Sequence, residues 1–333
     1  ENSITLVAQT IGGETVEYAK ASSSAVPDSG WQTDTNFTGL SSGASYYFFA
    51  RVKETTGHAS GTVVSAQLRT TQGAFPDVLN IADGDITVDN GTTSGTIKIT
   101  YGSSTYDDLP AATQIVVTGT SGTYTITVNT SCNITLSGVT ITPAANSTAN
   151  AMNITAGTVT LALADGTKNT LEPQRQTATD ANINKGKAAL RVASDAALII
   201  NGSTGTLTAA GGNGYAFKAE GSYGGGAAGI GGNGSLAFLT NGDASGSVTV
   251  NGGVIIATGG SSSSYWGGGG AGIGGGAGAY MARGGNSGTV TVNGGFVTAT
   301  GGAATVNGWG GPGIGGGGGG AVTYNDLPRS GAT

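Results

Sequence analysis

The chain has 333 residues, of which 64 are glycine and only 10% are charged, and its net charge is −6 at neutral pH. Glycine does not recur at every third position, which excludes a collagen helix, and alternating Val, Ile and Thr runs argue against wholesale disorder. The acidic balance offers no basic face for nucleic acid or an anionic membrane, and no run of about 18 apolar residues is present to insert in a bilayer.

A single cysteine, Cys132, allows no internal disulfide. The chain opens on Glu1 without a leader pattern, so it reads as a mature or excised piece of a longer secreted chain.

Residues 1–72 have their own character. Ser3 to Ala8, Thr15 to Lys20, Tyr46 to Lys53 and Val63 to Thr70 read as short strands separated by Ser, Gly, Pro and Asp, as in a β-sandwich. Alternation in the third strand puts Tyr46, Phe48, Ala50 and Val52 on one face and Tyr47, Phe49, Arg51 and Lys53 on the other. This stretch resembles a fibronectin type III module. Leu40, Gly43 and Tyr46 match that family's Leu-x-x-Gly-x-x-Tyr corner, Asn2 to Leu6 matches its second strand, and Trp31 falls where the resemblance implies a core aromatic. The family's first strand is missing.

Residues 73–77 read as a linker. From 78 to 333 charge thins and strands follow closely, among them Asp85 to Val88, Gln114 to Thr118, Asn133 to Leu136 and Val139 to Thr142. Three tags, AGIGGN, AGIGGG and PGIGGG, centre on Ile230, Ile273 and Ile314, and the strand pairs Ser247 to Gly260 and Thr289 to Gly302 are near copies. The period is about 42 residues over a clean stretch of about 227–324, with degenerate versions at Ala151 to Gly157 and Ala188 to Ser194. Such a period means stacked units. Each unit is too small to bury its own apolar face, and stacking supplies the missing cover. The expectation is an all-β protein: a β-sandwich followed by a parallel β-helix solenoid. Val248, Val250 and Ile255 would stack over Val290, Val292 and Val297, with the three isoleucines as a further ladder. The Gly-Ile-Gly-Gly wall leaves room for another backbone or an aromatic ring to lie on it.

This second region resembles the right-handed parallel β-helix regions of secreted or wall-attached proteins of Gram-positive gut bacteria, on the strings Leu163 to Leu171, SVTVNGGVIIATGG and AGIGGG. The resemblance implies carbohydrate-binding or adhesin-like roles, and the same fold also serves polysaccharide lyases and glycosidases.

Few residues point to chemistry. After Asp243 no carboxylate appears until Asp326, so the regular units hold no acid pair. Asp107 and Asp108 are adjacent in an apparent loop, where a solvated turn is the plainer reading. The sole histidine, His58, reads as a loop residue, and no catalytic residue is assigned. Asp83, Asp85 and Asp89 fall close together as oxygen ligands for calcium would, without a full EF-type loop; no other cofactor is implied. Aromatics recur beside the glycine tags: Tyr215, Tyr265, Trp266 and Trp309. They are the glycan-binding candidates, since sugar rings stack on aromatic faces; the plainer reading is that they cover bare glycine backbone. Leu327 to Gly331, LPRSG, is similar to the Leu-Pro-x-Thr-Gly signal of sortase substrates.

The function expected is a non-catalytic, extracellular bacterial surface module that binds a polysaccharide or host glycan in adhesion, without nucleic-acid binding or membrane insertion. One alternative is a fibre subunit that joins copies of itself head to tail, Ala321 to Leu327 supplying the missing strand. A second is a β-helix polysaccharide lyase or glycosidase with acids between Asp83 and Asp195.

Overall fold

The computed structural model describes residues 3–320 apart from 11–12, 42–43, 57–58, 64, 71–72, 144–148, 174–185, 215, 218–221, 236, 238, 264–265 and 305–306. It is all-β: strands and no helix are found among the described residues. The chain divides into two compact units, Glu1–Pro76 and Asp77–Thr333.

In the first unit, Val16–Ala21, Ser45–Val52 and Ser65–Thr70 form an antiparallel three-stranded sheet, and Ile4–Thr5 pairs with Asn36–Phe37. The two sheets share one core of Val16, Tyr18, Phe37, Leu40 and Phe48, with Ile4, Leu6, Tyr46 and Ala50 packed against it. Period-2 alternation therefore places Tyr46, Phe48 and Ala50 as expected. Phe37 and Phe48 meet edge to face at 5.1 Å. The Tyr46 hydroxyl accepts a hydrogen bond from the Ser41 backbone N–H at 3.0 Å, the geometry of a tyrosine corner. Gly43 of that corner, like Asn2 and His58, lies outside the described residues.

Trp31 departs from expectation. It is half-buried apart from the core cluster, its Nε1 donates to the Pro27 carbonyl at 3.1 Å, and the Arg51 guanidinium lies 3.9 Å over its ring. Arg51 also pairs with Glu17 at 2.7 Å, so cation–π and ionic contacts hold the indole in place.

The second unit is built on a curled parallel sheet. Its hinge is Cys132–Ile141, read from sequence as two strands but continuous in the structure. The first half pairs with Gly157–Leu163 and the second with Lys168–Leu171. Gly138 sits between the halves at φ +74°, a backbone state that favours glycine and lets the strand bend. From there one row of parallel strands continues through Ala196–Gly202, Ser247–Val250 and Val290–Val292. A second continues through Thr206–Ala210, Val254–Thr258 and Phe296–Thr300. A third runs through Ile126–Val128, Met152–Ile154, Leu190–Val192, Ile230–Gly231, Ile273–Gly274 and Ile314–Gly315. The chain visits the three rows in turn.

The inward residues make the core. Leu198, Ile200, Leu207, Ile230, Val248, Val250, Ile255 and Ile273 are fully buried or nearly so. The register pairs Val248 with Val290, Val250 with Val292, Ile255 with Val297, and Ile230, Ile273 and Ile314 in succession. Each such side chain contributes about 1.5–3 kcal/mol when fully buried. The final strands are less covered: Val292, Phe296 and Ile314 are all exposed.

The third row explains the glycine wall. Its outward positions run Thr127, Asn153, Arg191, Gly231, Gly274 and Gly315. Side chains give way to glycine where extended arms fold back over the row. A Cβ on Gly231 would meet the Gly274 carbonyl and Ser245, and one on Gly274 would meet the Gly315 carbonyl and Ser287. Backbone therefore lies on this wall. Amides of these segments donate to carbonyls on other segments, as Gly226 does to Gly268, Gly269 to Trp309, Ala277 to Gly226 and Gly318 to Gly269, all at 2.8–2.9 Å. The close approach that only glycine permits is used to hydrogen-bond chain to chain.

Candidate functional site

Where the third row turns into the first, successive turns line up as a shallow groove of about 480 Å³. It begins at Ser131, passes Gly157–Thr158 and Ser194–Ala197, and continues to Gly246–Ser247 and Gly288–Thr289. Four steps at parallel-strand spacing give it a length of about 19 Å. The floor is backbone, because a Cβ on Gly157, Gly246 or Gly288 would fall inside the 3.0 Å that real Cβ atoms keep from Ser131, Ala196 and Gly246 respectively.

Small polar side chains line it. Thr158, Ala197 and Ser247 stand side by side in register, and Thr289 precedes the next paired residue, Val290. The Ser131 Oγ accepts from the Thr158 backbone N–H at 2.9 Å, and the Ser194 Oγ donates to Asp195 at 3.3 Å. Asp195 is exposed and is the one carboxylate among the lining residues. Hydroxyls that donate and accept, beside methyl groups of Thr and Ala, suit a polyhydroxylated chain laid lengthwise. Sequence reasoning missed this groove. Its signal was the Ser-Gly-Ser/Thr string that opens at Ser245 and again at Ser287, which reads as ordinary turn composition.

The aromatic candidates divide. Tyr215 and Tyr265 lie outside the described residues. Trp266 is half-buried and meets Tyr280 edge to face, with ring centroids 5.3 Å apart at 77°. Tyr280 was not singled out from sequence, because it stands in the following arm. Trp309 is 39% exposed, and its backbone is tied on both sides, donating to Gly319 and accepting from Gly269.

The acidic candidates are dispersed among separate partners. Asp83 accepts from the Tyr101 hydroxyl at 3.2 Å, Asp85 from the Thr125 backbone at 2.7 Å, and Asp89 from the Asn129 amide at 2.7 Å. Among the described residues no three His, Cys, Asp or Glu side chains gather as a metal site would need. Asp107 and Asp108 lie in the strand Ser104–Pro110, not in a loop, with Asp108 at φ +54°. Their carboxylates tie down the neighbouring turn through Thr92, Thr93 and Thr96. The hydrogen bond from the Thr92 hydroxyl holds Asp107 below the usual carboxylate range. Asp165 is lowered in the same way by the Thr204 backbone N–H. Cys132 is buried, which pushes its thiol up to about 12. Ala321 to Leu327 and Leu327 to Gly331 lie outside the described residues.

Residues 108–222 match a family model described as "Carbohydrate-binding domain-containing protein". The match spans about a third of the chain. It includes the groove from Ser131 to Ala197 and, of the aromatic candidates, Tyr215 alone. No curated protein and no solved structure matches the chain. Among the described residues no helix is long and apolar enough to cross a membrane.

Proposed function

We propose that this chain is a non-catalytic glycan-binding module whose polysaccharide lies along the groove from Ser131 to Thr289. The observation that carries the reading is the overlap between the carbohydrate-binding family match and the first half of that groove. A shallow, open groove lined by Ser, Thr and backbone fits an extended polymer better than a small molecule. A glycosidase needs two carboxylates flanking the bond, roughly 5–10 Å apart, and the groove presents Asp195 alone. Trp266, Tyr280 and Trp309 supply a second, aromatic contact.

The finer architecture belongs to the same reading. The Tyr46–Ser41 corner and the shared core support a fibronectin type III-like module over residues 1–72. The threefold winding supports a parallel β-helix from about residue 78, with coils of about 42 residues in its later part. A position on the outside of a bacterial cell and a role in adhesion belong to the same proposal, in keeping with a glycan ligand.

Binding to a panel of soluble and insoluble polysaccharides tests the proposal, with Ser247→Trp to block the groove and Trp309→Ala to strip the aromatic contact. Binding lost with Ser247→Trp and weakened with Trp309→Ala is expected. A protein that retains no polysaccharide from a broad panel overturns the reading.

One further observation favours self-assembly as a second reading. Among the described residues Ile4–Thr5 pairs with Asn36–Phe37 alone, and the last strands of the curled sheet expose Val292, Phe296 and Ile314. Among the described residues these are edge strands, the kind that strand addition uses. Light scattering that shows only monomer at high concentration removes it.

A further inference from the structure

The chain holds eight Asn-Gly steps, at Asn90, Asn201, Asn213, Asn233, Asn241, Asn251, Asn293 and Asn307. Asn-Gly is the step at which an asparagine most readily loses its amide, because glycine has no Cβ to crowd the backbone nitrogen as it turns on the side chain. Seven of these eight side chains are held. Asn90 accepts from the Thr130 hydroxyl at 2.6 Å, Asn213 from the Ser261 backbone at 2.9 Å and Asn241 from the Arg283 backbone at 2.9 Å. Asn233 is buried and accepts from Asn150 at 2.7 Å and from the Ala188 backbone at 2.9 Å. Asn201, Asn251 and Asn293 bond one another in a ladder at 2.8–2.9 Å. Asn307 is the exception. It is partly exposed, and its side chain makes no hydrogen bond among the described residues.

The attacking nitrogens differ in the same way. The backbone N–H groups of Gly91, Gly214, Gly234 and Gly242 each donate to a carbonyl at 2.8–3.0 Å. That of Gly308 donates to none among the described residues. A bonded nitrogen has to give up its bond before it can turn on the preceding side chain, and a bonded amide has to do the same before it can be attacked. Gly308 also lies close against a neighbouring segment. A Cβ there would meet the Gly267 carbonyl, and the next residue, Trp309, donates to Gly319 at 3.0 Å and accepts from Gly269 at 2.9 Å.

We propose that Asn307–Gly308 is a self-modification site, which in the folded chain converts to aspartate and isoaspartate ahead of the other seven steps. The Gly308 nitrogen attacks the side-chain carbonyl carbon of Asn307. The bond from that carbon to the side-chain nitrogen breaks, and the nitrogen leaves as ammonia carrying the Gly308 proton. Water then opens the succinimide so formed at one carbonyl or the other. One water is consumed, one ammonia is released, and no oxidant or reductant takes part. The product sets a new carboxylate beside Trp309. Its isoaspartate form also routes the main chain through an extra methylene, where the close approach to Gly267 leaves no room. Conversion therefore loosens the two backbone bonds of Trp309.

The test incubates the full chain in mildly alkaline buffer, folded and in urea, and follows each Asn-Gly peptide by mass mapping. Labelling with an isoaspartyl methyltransferase gives a second readout, and Asn307→Gln should remove most of that label from the folded chain. Folded, Asn307 is expected to convert about tenfold or more faster than each of the other seven, the factor that one hydrogen bond to be broken first supplies. In urea the eight rates should draw together. The double variant Asn201→Ala with Asn293→Ala releases the Asn251 amide from both ladder partners, and conversion at Asn251 should rise. In converted protein, hydrogen exchange at the Trp309 and Gly269 amides should quicken. Equal rates in the folded chain, or an Asn307 that keeps its amide while the chain in urea loses it, overturns the assignment. An Asn251 rate untouched by the double substitution overturns side-chain bonding as the guard, and unaltered exchange at Trp309 overturns the loosening.

Discussion

The stacking of backbone on the glycine wall makes a sharp prediction at Gly274. It is buried at φ +135°, outside the range that L side chains favour, and a Cβ there would press on the Gly315 carbonyl and approach Ser287. Two ladder bonds frame it: Gly232 N–H to the Gly274 carbonyl at 2.8 Å and Gly275 N–H to the Gly315 carbonyl at 3.0 Å. Gly274→Ala therefore adds backbone strain of about 1–3 kcal/mol. Displacement of backbone that has no rotamer to yield adds a further 1–3 kcal/mol or so. A total near 4 kcal/mol lowers the melting midpoint of a unit this size by about 10 °C. Gly138→Ala is the control. It also has positive φ, +74°, but nothing lies within 4 Å of its would-be Cβ. It carries only the left-handed penalty of about 1–2 kcal/mol, a shift of about 3–6 °C. Both are read by calorimetry or circular dichroism. If Gly274→Ala melts no lower than Gly138→Ala, backbone does not lie on the wall as described.

Asn251→Ala breaks both links of the ladder that joins Asn201, Asn251 and Asn293 at 2.8–2.9 Å, and should cost about 1 kcal/mol, a midpoint shift of about 2–4 °C. Tyr46→Phe removes the corner bond to Ser41 while keeping the ring, so the first unit should unfold at a slightly lower urea concentration. The Cys132 thiol, buried and raised to about 12, should resist alkylation at pH 8 in the native protein and react once it is unfolded in urea. Asp107 is held below its ordinary value, so its contribution to stability is present above about pH 4, the unfolded value, and is lost as pH falls through the lowered folded value. Asp107→Asn should accordingly flatten the acid limb of a stability-against-pH curve, and an unchanged limb would remove Thr92 as the cause.

The apolar ladders were legible because burial leaves a period. Val248 and Val250 alternate with Ser247 and Thr249 in the way that one buried face requires, and the copies of Val248 and Ile255 at Val290 and Val297 show which residues are neighbours. The arms were not legible. Segments such as 224–235 and 266–279 are fixed by amide-to-carbonyl bonds between glycines, and those bonds leave no side-chain pattern to read. The groove was hidden for a related reason: Ser, Thr and Gly at a turn look alike whether they face bulk water or a ligand. Asp107 and Asp108 misled because paired carboxylates before a proline resemble a loop, while Asp108 sits at an irregularity in a strand where its side chain holds a turn. Trp31 misled because a resemblance assigns an aromatic to the core without weighing an arginine that stacks on it from outside.

The same row also bears on where a ligand can bind. Thr127, Asn153 and Arg191 point outward from the third row, but at Gly231 and Gly274 the arms of residues 242–246 and 284–288 occupy that surface. The later part of the third row has therefore given up its outer face to chain-to-chain hydrogen bonding and offers nothing there to a sugar. Ligand contact in that part of the unit is displaced to two places. One is the corner where the arms return to the first row at Gly246 and Gly288, which is the groove. The other is the arm tips, where Trp266 and Tyr280 meet. Arg191 stands at the boundary between the open and covered parts of the row, which explains why its guanidinium is buried on one side and accessible on the other. Thr127→Ala, on the open part of the row and outside the groove, should therefore leave polysaccharide retention unchanged, whereas Ser247→Trp at the corner should abolish it.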